Sequence, residues 1–201
     1  MSPNSDTLHR VLIRAQKVGF LGPGDVETHI DHAARFASGL TQEHVTIADI
    51  GSGGGVPALP LLVDNEHLTA TLVDTSQRRC SFLVWAVCEL ELQERVQVKR
   101  SRAEEFARND EIRGTFSAVT ARGFGPPAWT FECAIGLLAM RGRFVVSEPP
   151  NERNWPDVAT LRSFGMSQVE PTDGIAVFER VGDIPKDLPR RPKIASKKPL
   201  F

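Results

Sequence analysis

Apolar residues change their period along this chain, and the changes lay out its elements. Leu8, Val11, Leu12, Ala15 and Val18 recur at helical spacing until Gly19 stops them. Gly22-Pro23-Gly24 reads as a turn, after which Val26, Ile30, Ala34 and Ala37 mark the apolar face of a second helix closed by Gly39. From Val45 onward, short β-rich runs alternate with helical ones. Strands are expected at 45–50, 68–73, 96–101, 116–121 and 143–147, with helices at 56–63, 76–92, 103–108 and 127–139. The long fourth helix carries Leu83, Val87 and Leu90 on one face, and Cys80 and Cys88 within the same pattern read as small buried thiols. A helix near 157–163 and strands at 167–170 and 175–180 close the series, the last two joined by the turn signal PTDG and so forming a hairpin.

This alternation predicts an α/β fold with a mostly parallel sheet covered on both faces. An antiparallel C-terminal hairpin added to such a sheet distinguishes the Rossmann-like class I S-adenosylmethionine-dependent methyltransferases from plain dinucleotide-binding domains. The chain divides into an N-terminal helical extension (1–40) suited to a lid or brace, a methyltransferase domain (41–182) and a tail rich in proline and basic residues (183–201).

The densest punctuation is IADIGSGGGVP, Ile47 to Pro57, where a strand gives way to a helix. A glycine-rich turn in that context lets a ligand approach the backbone at the carboxyl ends of the strands. Gly51, Gly53 and Gly55 are spaced G-x-G-x-G, Val56 stands where a dinucleotide fingerprint wants glycine, and no Lys-Ser/Thr follows. The loop therefore suits an amino-acid chain and a ribose better than a pyrophosphate. Asp74 ends the next strand, where a carboxylate can accept from both ribose hydroxyls. Adenosine carrying a methionine chain satisfies both features, so S-adenosylmethionine is the expected cofactor. Asp49 either faces that cofactor's ammonium or caps the following helix.

Charge narrows the partners. The net charge is −1 over 201 residues, so a nucleic-acid contact must come from a local patch. The tail supplies one: six basic residues against two acidic ones, locally +4. Arg78-Arg79 is either a second phosphate contact or an exposed helix start. Cys80, Cys88 and Cys133 are odd in number and lack zinc-ligand spacing, so neither a disulfide framework nor a metal is expected. No leader pattern and no long charge-free apolar stretch are evident, and the expected location is cytoplasmic.

DIGSGGGVPALPL (Asp49–Leu61) resembles the signature of the ribosomal small-subunit methyltransferase G family, also called the glucose-inhibited division protein B family; the G-x-P-x-x-P-L ending is its distinctive part. DTSQRRCSFL (Asp74–Leu83), VKRSRAEEF (Val98–Phe106), FSAVTARGF (Phe116–Phe124) and DLPRRPKIASKKPL (Asp187–Leu200) are similar to the family's later motifs. Coverage runs from about Gly19 to the end, as in a diverged member. The resemblance implies methyl transfer from S-adenosylmethionine to N7 of a guanosine in small-subunit (16S) ribosomal RNA, with that RNA or the small subunit as partner. It implies cofactor contacts from Asp49, Gly51, Ser52, Gly53, Gly55, Pro57, Asp74, Thr75, Ala103, Glu104 and Arg122. Arg102 and Arg122 would hold a phosphate or guanine O6, with a surface salt bridge to Glu104 or Glu105 as the other reading of Arg102. RNA contacts would come from Arg190, Arg191, Lys193, Lys197 and Lys198.

Ser147-Glu148-Pro149-Pro150 stands where the family has Lys-Gly, exchanging a cation for a carboxylate. Phe124, Trp129 and Trp155 are the candidate stacking residues for a base. His29 and His32 either touch substrate or lie on the helix surface. Three further readings stay open: a different RNA site, a small-molecule substrate, or a cofactor-binding relative without activity.

Overall fold

The computed structural model describes residues 3–148, 155–172 and 174–201. Pro149 and Pro150, and Asp173 of the expected PTDG turn, lie outside them. The strands are β1 (Thr46–Ile50), β2 (Thr69–Asp74), β3 (Val96–Arg100), β4 (Phe116–Ala121), β5 (Leu138–Ser147), β6 (Met166–Thr172) and β7 (Ile175–Arg180). They form one seven-stranded sheet in the order β3-β2-β1-β4-β5-β7-β6. β1 to β5 run parallel, and β7 enters antiparallel beside β5 and pairs antiparallel with β6. The order reverses between β1 and its neighbours β2 and β4, which opens a crevice at the carboxyl ends of these strands.

Strand side chains alternate between two cores, as period 2 requires. Ile47, Leu72, Ala118 and Val145 join one apolar cluster, while Ala48, Ile50, Val73, Val119 and Phe144 join the other. The first is covered by α1 (Pro3–Lys17), α2 (Val26–Ser38), α3 (Ala58–Asp64) and α4 (Gln77–Glu89), and the second by α5 (Ala103–Arg108), α6 (Pro127–Ile135) and α7 (Val158–Ser163). Among the described residues no helix is long and apolar enough to cross a membrane.

Four local expectations are corrected. The buried face of α2 is Val26, His29, Ala33 and Phe36, with Ala34 and Ala37 exposed. Both stripes have helical spacing, and burying a phenylalanine ring outweighs burying two methyl groups. His29 is thereby a buried residue, only 7% exposed. Cys88 is exposed where Cys80 and Cys133 are buried. Finally, α6 ends at Ile135, capped by Gly136, and β5 begins at Leu138, opposite Phe116. The run IGLLAM is too short and uniformly apolar for periodicity to separate helix from strand.

The tail packs as part of the fold. Ile184, Leu188 and Ala195 are buried, and α8 (Pro192–Lys197) follows. Arg113 donates to the carbonyls of Leu188 and Pro185 at 2.5 and 2.8 Å, and Arg108 donates to that of Pro189 at 2.8 Å. Arg190 closes the strap on Glu132 of α6: its Nε and Nη2 donate to the two carboxylate oxygens at 2.9 and 2.8 Å, and its backbone N–H adds a bond of 2.6 Å. The Glu132 side chain is 1% exposed. Removing one partner of a buried pair leaves the other without compensation. Glu132→Ala is therefore expected to lower the unfolding free energy by about 3–5 kcal/mol, read from urea denaturation.

Candidate functional site

The glycine loop leaves β1 with left-handed backbone. Gly51 has φ +71°, and a Cβ there would stand 2.5 Å from Phe124 Cδ2, so both backbone conformation and close packing require glycine. The N–H groups of Gly51 and Ser52 donate to the Val73 carbonyl at 2.8 and 3.1 Å, folding the loop over the end of β2. The Asp74 carboxylate fixes the two sides together. Its Oδ2 accepts from the Gly53 N–H at 3.0 Å and its Oδ1 from the Ser76 N–H at 2.8 Å, where Ser76 caps α4. Arg79 Nη1 lies 3.6 Å from Asp74 Oδ2. A cavity of about 180 Å³ opens here, lined by Gly51, Asp74, Thr75, Ser101, Ala103 and Phe124, among others.

Beneath the loop lies a second carboxylate. Asp49 is 1% exposed; its Oδ1 accepts from Thr120 Oγ at 2.6 Å, and its Oδ2 has no hydrogen-bond partner among the described residues. Burial raises its pKa from the ordinary 3.8 to about 6, with nearby Asp74 a further raising influence, against the lowering hydrogen bonds of Thr120 and Ser52. An orphaned acidic oxygen in this position fits a cationic group such as an ammonium. The cavity above it, with bare backbone on one wall and a strand-end carboxylate on another, fits a nucleoside. The residues present therefore match S-adenosylmethionine.

Arg122, just past β4, reaches back to the N-terminal helices. Its Nη2 meets His29 Nδ1 at 2.8 Å, and His29 Nε2 lies 3.2 Å from the Gly22 carbonyl. Arginine only donates, so Nδ1 accepts and the ring proton sits on Nε2. Burial lowers the pKa of the Arg122 guanidinium.

The structure gathers Gly51, Asp74, Thr75 and Ala103 around one cavity and sets Gly53 against Asp74. Ser52 lies buried beneath, donating to the Asp49 carbonyl at 2.8 Å. Gly55 packs against Leu59, and Pro57 precedes α3. Glu104 is buried and lies 3.7 Å from Arg102, whose side chain is 64% exposed. Ser101 is not among the residues the sequence singles out, although it directly follows β3. His29 is one of the sequence's candidate substrate contacts, but its pairing with Arg122 has no signal there, since the two lie 93 residues apart. Among the described residues, no group of His, Cys, Asp or Glu is arranged to hold a metal ion.

Sheet order, switch-point cavity and strand-end acid together define a class I S-adenosylmethionine-dependent methyltransferase. A solved structure with the same fold is that of P. horikoshii TYW2 in complex with MeSAdo, with a TM-score of 0.58 and 12% identity over 81% of this chain and 63% of that one, slightly under two thirds of its length. Residues 20–154 match the family described as rRNA small subunit methyltransferase G. A ribosomal RNA small subunit methyltransferase G from Clostridium perfringens is 30% identical, covering 85% of this chain and 76% of the relative. One from Sorangium cellulosum is 35% identical, covering 72% and 62%. The chain belongs to the rRNA small subunit methyltransferase G family.

The raised Asp49 pKa has a definite sign. The fold prefers the protonated acid, so its contribution to stability is complete below pH 3.8 and is lost as pH rises through about 6. Relative to Asp49→Asn, the unliganded wild type is expected to lose roughly 1 kcal/mol of unfolding free energy between pH 5 and pH 7. A pH-independent difference in urea denaturation would contradict this account of Asp49.

Proposed function

We propose that the protein transfers the methyl group of S-adenosylmethionine to N7 of a guanosine in small-subunit (16S) ribosomal RNA. The observation that carries this reading is the cavity between Gly51, Asp74 and Ala103, in a chain of this family. Bound there, the cofactor supplies an electrophilic methyl group on a sulfonium. Asp74 accepts from the ribose hydroxyls, with Arg79 moving off its Oδ2 and Gly51 giving the ligand a wall without a side chain. Asp49, ionised, faces the ammonium. Glu104 and Ala103 border the adenine side.

Guanine N7 carries an in-plane lone pair and no proton. That pair forms the N–C bond while the C–S pair returns to sulfur, so no base is needed and positioning carries the catalysis. Arg122, anchored on His29, suits a positioning role beside the base. Arg102, exposed and near Glu104, suits phosphate. The exposed Arg191, Lys193, Lys197 and Lys198 supply further phosphate contacts, and Arg190 leaves that set because Glu132 holds it. The N-terminal helices act in this reading as a brace for the site, which keeps 1–40, 41–182 and 183–201 as working divisions of the chain.

Incubating small ribosomal subunits that lack the modification with the protein and radiolabelled S-adenosylmethionine is expected to place label in 7-methylguanosine. Label in any other nucleoside, or none, overturns the reading. Asp74→Ala is expected to weaken cofactor binding at least tenfold by calorimetry, since each lost charge-assisted bond is worth about 1.5–3 kcal/mol. Wild-type affinity should also weaken as pH falls below about 6, where Asp49 takes up its proton, and Asp49→Asn should remove that dependence.

A further inference from the structure

A second cavity, of about 350 Å³, lies at the carboxyl ends of β4 and β5. Arg122, Phe124, Thr130, Ser147, Glu148 and Trp155 are among its lining residues. It shares Gly123 and Phe124 with the cofactor cavity, so the two cavities adjoin at these residues. Two of its donors have unused capacity. Arg122 Nη1 and Trp155 Nε1 are both buried and lack a hydrogen-bond partner among the described residues. A buried donor without a protein partner has capacity for an acceptor supplied by a ligand.

The walls are fixed. Trp155 packs edge-on against Phe178 at 4.9 Å between centroids, with Phe144 and Phe201 each at 6.3 Å. The Glu148 backbone N–H donates to the Gly174 carbonyl at 2.8 Å, tying the end of β5 to the hairpin turn. Thr130 Oγ bonds to the carbonyls of Gly125 and Pro126, and the remaining polar side chains are those of Arg122, Ser147, Glu148 and Trp155. Arg122, Trp155 and Glu148 therefore line a partly aromatic cavity of small-molecule size. The complementary ligand is a planar heterocycle with an acceptor on one edge and adjacent N–H groups on another. Guanine has that pattern. Its O6 has two lone pairs, and its N1–H and 2-amino group match a carboxylate. Adenine reverses it, setting a lone pair at N1 against the acid.

We propose that this cavity holds the target guanine: Glu148 accepts from N1–H and the 2-amino group, Arg122 and Trp155 donate to O6, and the N7 edge turns toward Phe124 and the cofactor cavity. This rests on the guanosine-N7 reading. A base in that slot has left its stack, as single-strand recognition requires. Glu148 is then a specificity residue, and the carboxylate that takes the place of a lysine reads the base.

The test uses the full chain and small-subunit RNA, with the modified guanosine located first using wild type. A ligated RNA carrying inosine at that position, which lacks only the 2-amino group, is then compared with the guanosine form. Wild type is expected to lose about tenfold in kcat/KM on inosine, within the range for one good base contact. Glu148→Gln should lose tenfold or more on guanosine and distinguish the two RNAs by less than twofold. Trp155→Phe, which removes only the N–H, should lose several-fold on guanosine. Both variants should bind S-adenosylmethionine as wild type does. Variants within twofold of wild type on guanosine, or a wild type indifferent to inosine, overturn the pocket assignment while leaving N7 methylation standing. A wild type that forms no 7-methylguanosine removes both.

Discussion

The site is organised by two carboxylates placed at neighbouring strand ends and kept from water. Asp74 spans the crevice, accepting from Gly53 on the glycine loop and from Ser76 at the start of α4. That single side chain sets how far the loop stands from the second strand, and hence the width of the nucleoside cavity. Asp49 lies below it, buried, and is pushed toward the neutral acid by desolvation first and by Asp74 last. A buried carboxylate with an oxygen lacking a partner is a cost that a cationic ligand can offset. The arrangement thus favours a ligand carrying positive charge next to a ribose, which a dinucleotide's anionic pyrophosphate would not satisfy.

The outer elements converge on the same crevice from opposite ends of the chain. From the N-terminus, His29 reaches Arg122 and the Phe20 carbonyl closes over Gly54, where an added Cβ would stand 2.8 Å away. From the C-terminus, the strap held by Arg108, Arg113 and Glu132 fixes the approach to α8 and its exposed cations. A chain of net charge −1 can draw in a polyanion only through such a localised field, and a strap that orders the segment before α8 lowers the entropy lost when those cations engage phosphate.

What was legible in the sequence follows from range. The glycine loop, Asp74 and the strand series are written in neighbouring residues, where turn chemistry and period speak directly. The α2 face was misread because alanines and a phenylalanine share helical spacing, and only the packing partner decides between them. Cys88 turned outward for the same reason. The end of α6 was hidden in an apolar run that either element would accept. Arg190 read as one more cation of a basic tail because its carboxylate partner is 58 residues earlier in the chain. His29 and Arg122 are a pair only in three dimensions.

Phe124 links these levels. Its ring lies against the bare backbone of Gly51 and Phe124 lines both cavities, so the requirement for glycine at 51 and the meeting of the two cavities rest on one packing contact. Methylation at a nitrogen that bears no proton asks for no acid or base, only for alignment of lone pair, methyl group and sulfur. Donors with unmet capacity in one cavity, a strand-end carboxylate in the adjoining one and an aromatic cluster around Trp155 are the features such alignment calls for. The chemistry is thereby reduced to geometry, and the geometry is held by packing on both sides of a single ring.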